Sequence, residues 1–236
     1  MVEPKRGYSR SRIISSRPEF YDFDLFEQTG SFLEQENRLL TELAYTVFDT
    51  ETTGLNPREG DEIISIGAVR IVNGKLLKEE FFDCLVDPRR SIPEESIRIH
   101  GISPEMVKGQ PRIEQVLPLF REFSHDTILV AHNAAFDMQM LKEKESATGV
   151  RFTNPVIDTL LLSAVVHPAQ QSHDLEMIAK RLGVDIIGRH TALGDAIVTA
   201  EIFLRLIPLL EALGIRTFHE VRNASLKTFY SRKRYG

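Results

Sequence analysis

The chain has 236 residues, enough for one substantial domain with short additions and cramped for two. Hydrophobic residues make up 42% and charged residues 27%, the balance of a globular protein in water, and no apolar run approaches the ~20 residues of a membrane-spanning helix. The net charge of −5 does not announce a nucleic-acid binder, although a site built from carboxylates lowers the total by itself.

The N-terminus is polar and basic, without the apolar core of a secretion signal. The single cysteine, Cys84, excludes an internal disulfide, so the expected compartment is a reducing cytoplasm. Cys84 itself reads as a small buried strand residue and not as a nucleophile.

In chain order, residues 1–43 form an arm. Met1 to Arg17 carries Lys5, Arg6, Arg10, Arg12 and Arg17 against Glu3 alone and reads as disordered. Phe20 to Leu43 mixes Phe, Leu and acidic residues, and Phe32, Leu33, Leu39, Leu40 and Leu43 fit an amphipathic helix packing on the main domain. The main domain spans 44–214. Tyr45 to Phe48 is a short buried strand, and Glu62 to Val72 a second. Asn73-Gly74 is a hairpin signal, so Lys75 to Val86 returns antiparallel. Short helices follow Pro93 and Ser103, and Ile113 to Phe123 is amphipathic.

Thr127 to Ala131 is another buried strand, and Ala134 to Glu145 a helix. Val156 to Asp158 is a brief strand leading into an apolar helix. Asp174 to Leu182 is a helix closed by Gly183. The last long helix runs from Ala192 to about Leu206, and Pro208 starts a separate short one ending at Gly214. Residues 215–236 form a basic tail: Arg216, Arg222, Lys227, Arg232, Lys233 and Arg234 against Glu220. Each basic end reads either as a solvated, partly disordered segment or as a grip on phosphate backbone. The hairpin beside helix-flanked strands predicts an α/β fold, a mixed sheet covered by helices.

The chemistry gathers at the strand ends. Asp49 and Glu51 are two apart on a strand, so both carboxylates share a face roughly 7 Å apart at their roots. That suits a pair of metal ions about 3.5–4 Å apart. Acid-x-acid pairs are common by chance among 34 acidic residues, but this one ends an apolar strand, where open α/β sheets bind ligands. Thr52, Thr53 and Gly54 follow as a polar loop able to approach a substrate backbone. Asp137 lies in the first turn of a helix, either as a ligand or as an acid favoured by the helix dipole. Asp195 lies five residues after His190, about 140° apart on a helix, so His190 is placed on the preceding loop with Thr191 as N-cap. A G-x-G-x-x-G loop and a Walker pattern are both absent from the first strand, which argues against a nucleotide-binding protein.

Three segments together resemble the DEDDh family of 3′–5′ exonucleases, which includes the epsilon subunit of bacterial DNA polymerase III, RNase T and oligoribonuclease. Val47-Phe48-Asp49-Thr50-Glu51-Thr52-Thr53-Gly54-Leu55 is similar to the first motif. His132-Asn133-Ala134-Ala135-Phe136-Asp137 is similar to the second, and His190 with Asp195 to the third, in its histidine version. His100-Gly101-Ile102 resembles a further signature. The resemblance covers about Ala44 to Glu211.

It implies a ribonuclease-H-like mixed sheet of about five strands flanked by helices. It further implies Asp49, Glu51, Asp137 and Asp195 on two divalent cations, Mg²⁺ or Mn²⁺, with His190 as general base. The implied substrate is the 3′ end of a single-stranded nucleic acid. Thr52 and Leu55 would contact the terminal nucleotide. His100 either touches substrate or braces its loop, with bracing favoured, and Phe136 either stacks on a base or packs, with packing favoured. His132 and Asn133 are read as orienting backbone beside Asp137, Asp158 as a structural hydrogen-bonding acid, and His173 as a helix-start residue without chemistry. The motifs do not separate DNA from RNA. An RNA-processing or oligoribonuclease-type enzyme and a catalytically idle binding module remain the alternatives.

Overall fold

The computed structural model describes Leu25, residues 36–188 and residues 190–235. Strands β1 (Ala44–Thr52), β2 (Ile63–Val72), β3 (Lys75–Leu85), β4 (Ile128–Ala131) and β5 (Val156–Asp158) form one sheet in the order β3-β2-β1-β4-β5. β1, β2 and β3 pair antiparallel, whereas β1, β4 and β5 pair parallel. The fold is the expected mixed sheet of five strands. At the β2–β3 turn, Asn73 and Gly74 both take positive φ, 49° and 68°, the primed geometry that fits strand twist.

Central strands β1 and β2 are buried along nearly their whole length because helices cover both faces, which is why they read as continuous apolar runs. Period-two alternation assigns the faces. Tyr45 and Val47 enter one core with Val69, Ile71, Phe203 and Leu206. Phe48 enters the other with Ile66, Phe120 and Phe136. Asp49 and Glu51 therefore continue the first face, and Thr50 the second.

The helices follow the order expected. They are α1 (Glu94–His100), α2 (Pro104–Val107), α3 (Ile113–Phe123), α4 (Ala134–Glu143), α5 (Glu145–Thr148), α6 (Thr159–Val166), α7 (Leu175–Leu182), α8 (Ala192–Ala212) and α9 (Phe218–Tyr235). None of them is long and apolar enough to cross a membrane.

Four expectations are corrected. α8 does not stop before Pro208 but runs on to Ala212, because Leu206, Ile207 and Leu210 are all buried in the first core. Their burial at about 1.5–3 kcal/mol each outweighs the ~3 kcal/mol that an internal proline costs. The segment after Gly214 is not a loose tail. α9 packs along α6, with Phe218 and Val221 in the first core and Phe229 against the second, beside edge strand β5.

The third correction is the helix expected to reach Leu43. Over the described residues only Leu40–Glu42 forms a single 3-10 turn. Leu40 and Leu43 are buried as expected, but Leu39 pairs with Thr217 and the Leu40 N–H donates to the Arg216 carbonyl, which holds the backbone extended. The rest of that helix and the Met1–Arg17 arm lie outside the described residues. Cys84, expected buried, is only half-buried on edge strand β3.

Candidate active site

Strand alternation brings Asp49 and Glu51 to the face on which α8 lies, and α8 supplies Asp195 in its first turn. All three are buried, and each offers a carboxylate oxygen within 4.8 Å of the others. The cross-strand partners of Asp49 and Glu51 on β2 are Gly67 and Ser65. Both are small, and that is what admits the helix: a Cβ on Gly67 would overlap the Leu193 nitrogen and the Ala192 carbonyl carbon. A glycine inside an otherwise β-branched strand is the sequence signal for such a close approach.

Asp137 stands outside this group of three. It is wholly buried in the first turn of α4, on the opposite face, where one carboxylate oxygen accepts the Thr50 N–H at 3.1 Å and the Thr50 hydroxyl at 2.6 Å. Thr50 lies between Asp49 and Glu51, so this pair of bonds ties Asp137 to the strand that carries the acids. Sequence reading had no reason to single out Thr50, because the bond links residues 87 apart.

Asp158 is a structural acid, as expected. It accepts the N–H groups of Asn133 (3.0 Å) and Ala134 (3.2 Å) at the start of α4 and of Leu160 (2.9 Å) in α6. Burial pushes its carboxyl up to about 7 against the pull of these backbone donors. His132 pairs with the Thr159 hydroxyl at 3.0 Å, and Asn133 takes a left-handed φ of 55° before α4. His173 is buried at the approach to α7, with Nδ1 against the Ser163 hydroxyl at 2.9 Å.

The loop after β1 is held from three sides. Thr53 exchanges bonds with Glu62 and donates its hydroxyl to Asp61 at 3.1 Å, while Ser96 donates to the Thr53 carbonyl at 2.9 Å. Asp61 also accepts the Asn56 N–H and pairs with Arg90 at 3.3 Å, and Lys144, nearly buried, pairs with Glu62 at 2.6 Å. Within this frame the Thr52 hydroxyl donates to the Gly54 carbonyl at 2.7 Å, and Leu55 is half-buried against the second core. The ion pairs were not legible in the sequence, since their partners come from distant elements.

Two histidines approach the same region. His190 is half-buried in the loop before α8 with φ 64°, and Thr191 caps the helix as expected. His100 is buried at the end of α1, and its Nδ1 accepts the Ile102 N–H at 3.0 Å, which leaves the ring proton on Nε2. Burial pushes its pKa down, against a smaller upward pull from the Thr52 backbone, and His190 adds a further small downward effect. His100 thus braces the turn after α1. Phe136 is wholly enclosed in the second core and has no ring face open to a base.

Residues 46–203 match the family model of the RNase T exonucleases. A DNA polymerase III subunit epsilon-like protein of Rhodobacter capsulatus is 51% identical over 203 residues, which is 85% of this chain and 29% of that relative. The chain therefore spans less than a third of that relative's length. Exonuclease X, solved in complex with 5′-overhanging duplex DNA, superposes with a TM-score of 0.62 at 25% identity, covering 77% of this chain and 99% of that one. The nuclease domain of 3′hExo, described as a DEDDh family member bound to rAMP, superposes with a TM-score of 0.62 at 19% identity, covering 71% and 92%. That second likeness is one of fold.

Proposed function

The chain belongs to the exonuclease family, and on that premise we propose that it hydrolyses phosphodiester bonds from the 3′ end of a single-stranded nucleic acid, releasing nucleoside 5′-monophosphates. The observation that carries this reading is the buried group of Asp49, Glu51 and Asp195 at the end of β1. Three carboxylates this close repel one another strongly in a low-dielectric site, and a divalent cation relieves that repulsion. Their hard oxygen donors, without cysteine, suit Mg²⁺ or Mn²⁺.

Two such ions, when bound, neutralise the phosphate, activate a water and stabilise the leaving 3′-oxygen. Asp49, Glu51 and Asp195 would hold them, with Asp137, oriented by Thr50, as the fourth acid. His190 accepts the proton of the attacking water, the task an imidazole near neutral pH performs well. The water oxygen bonds to phosphorus as the P–O3′ bond breaks, and the leaving 3′-oxygen takes a proton from solvent to become the new chain end. Thr52 and Leu55 hold the terminal nucleotide, and His100 braces the turn beside them.

The epsilon-like relative supports DNA as substrate and a replication or repair setting in the cytoplasm. All five family positions are acids or histidine here, which favours an enzyme over an idle binding module.

The test is digestion of single-stranded DNA and RNA oligonucleotides labelled at either end. A 5′ label should yield a ladder that shortens with time, and a 3′ label should leave at once as a mononucleotide. EDTA should stop both, and Mg²⁺ or Mn²⁺ should restore them. Full activity in EDTA, or shortening from the 5′ end, would contradict the reading.

A further inference from the structure

The turn that carries His190 is fastened to α8 through one hydroxyl. Thr191 donates its backbone N–H to the Gly188 carbonyl at 3.2 Å and its hydroxyl to the same carbonyl at 2.7 Å. The hydroxyl oxygen also accepts the Gly194 N–H at 3.1 Å, a first-turn donor that the helix itself cannot satisfy. One side chain thus joins the carbonyl that opens the turn to the helix that bears Asp195.

Gly194 makes this possible. A Cβ there would overlap the Gly188 carbonyl and come within 2.7 Å of the Thr191 hydroxyl. Gly188 contributes a φ of 71°, open to glycine without strain. His190 sits inside the turn with φ 64°, a left-handed backbone that a non-glycine residue keeps only where its surroundings enforce it. The Asp195 N–H, in turn, donates to the Thr191 carbonyl at 2.9 Å. His190 and Asp195 are therefore referenced to the same residue.

We propose that Thr191 is a positioning residue, whose hydroxyl fixes the turn that carries His190 against the helix that carries Asp195. This rests on the reading of His190 as general base. A base must lie within hydrogen-bond reach of the proton it takes, and a misplacement of ~1 Å costs about 10²-fold in rate. Thr191 touches neither substrate nor metal in this account and acts through the backbone of its neighbour.

The test compares Thr191→Val, Thr191→Ser, His190→Ala and the His190→Ala/Thr191→Val double variant on a single-stranded oligonucleotide at saturating Mn²⁺. Thr191→Val keeps the branched shape and loses the hydroxyl. It should lower kcat by about 10- to 10²-fold with KM and the Mn²⁺ requirement unchanged. Thr191→Ser should recover most of the rate. In the His190→Ala background the valine should cost nothing further, because the base it positions is gone.

Wild-type kcat in Thr191→Val beside an impaired His190→Ala would overturn the positioning role while leaving the base intact. An equal loss in both backgrounds, or a Thr191→Ser variant as impaired as the valine one, would assign the effect to the helix and Asp195 instead. Near-normal kcat in His190→Ala would remove the base and, with it, the role of Thr191.

Discussion

Thr50 donates both its backbone N–H and its hydroxyl to a single oxygen of Asp137, at 3.1 and 2.6 Å. Thr50 lies between Asp49 and Glu51 in β1, and its side chain points to the other face from theirs. β1 outruns β4 in the parallel ladder, whose last paired residues are Val47 and Val130, three residues short of Thr50. There a carboxylate from the helix after β4 accepts the Thr50 N–H. Thr50→Val keeps the shape and the backbone N–H but removes the hydroxyl from a wholly buried carboxylate. Hydrogen bonds to charged groups contribute about 1.5–3 kcal/mol, and stability should fall by that order in denaturant unfolding. Activity should fall with it, and Thr50→Ser should restore both. An unchanged unfolding midpoint would show that the hydroxyl holds nothing.

Gly67 faces Asp49 across β2 and lies against the first residues of α8. A larger side chain there must push the helix start away or distort the sheet. Gly67→Val should cost about 1–3 kcal/mol, the usual scale of overpacking, and nuclease activity should drop further than that loss alone explains, because Asp195 rides on the displaced turn. Equilibrium unfolding and initial rates on one oligonucleotide check both. Wild-type activity in a folded Gly67→Val protein would mean the close approach does not set the site.

Asp158 gives a pH signature. Its ordinary pKa of 3.8 is raised to about 7 by burial in the folded state. Between those values the folded protein keeps a proton that the unfolded chain releases, so this group's contribution to stability falls as pH rises from about 4 to about 7 and is level on either side. Asp158→Asn cannot ionise and should remove that slope from the difference between the two stability-versus-pH curves. Equal slopes for mutant and parent across that window would contradict the assignment.

α9 completes the domain. Phe218 is buried in the first core and Val221 beside it. Phe218→Ala should destabilise by about 3–5 kcal/mol, as truncating a core aromatic does, and ending the chain at Gly214 should cost more and expose edge strand β5. A melting temperature unchanged by Phe218→Ala would mean that the helix adds little to the fold.

What the sequence disclosed follows from the range of its signals. Short apolar runs, Asn73-Gly74 and the Thr191 cap are local, and the strands, the hairpin and the start of α8 stand where those patterns place them. Asp49 and Glu51 share a face because two strand residues apart must. The α8 extension through Pro208 and the packed α9 were not legible, because tertiary burial of Leu206, Leu210 and Phe218 decides them and local propensity points the other way. Thr50, Asp61 and Lys144 were passed over for a related reason: each acts through a partner from another element. Gly67 did carry a signal, a glycine within a buried strand, and nothing local said which helix would use the space.

The proposed chemistry depends on metal binding by Asp49, Glu51 and Asp195, and calorimetric titration of Mn²⁺ into the protein without nucleic acid tests it. Wild-type protein should bind the ion, and Asp195→Asn, folded and matched in melting behaviour, should bind it at least about tenfold more weakly, since one of three anionic ligands is lost. Equal affinity in the two proteins, or no binding by the wild type, would contradict the account.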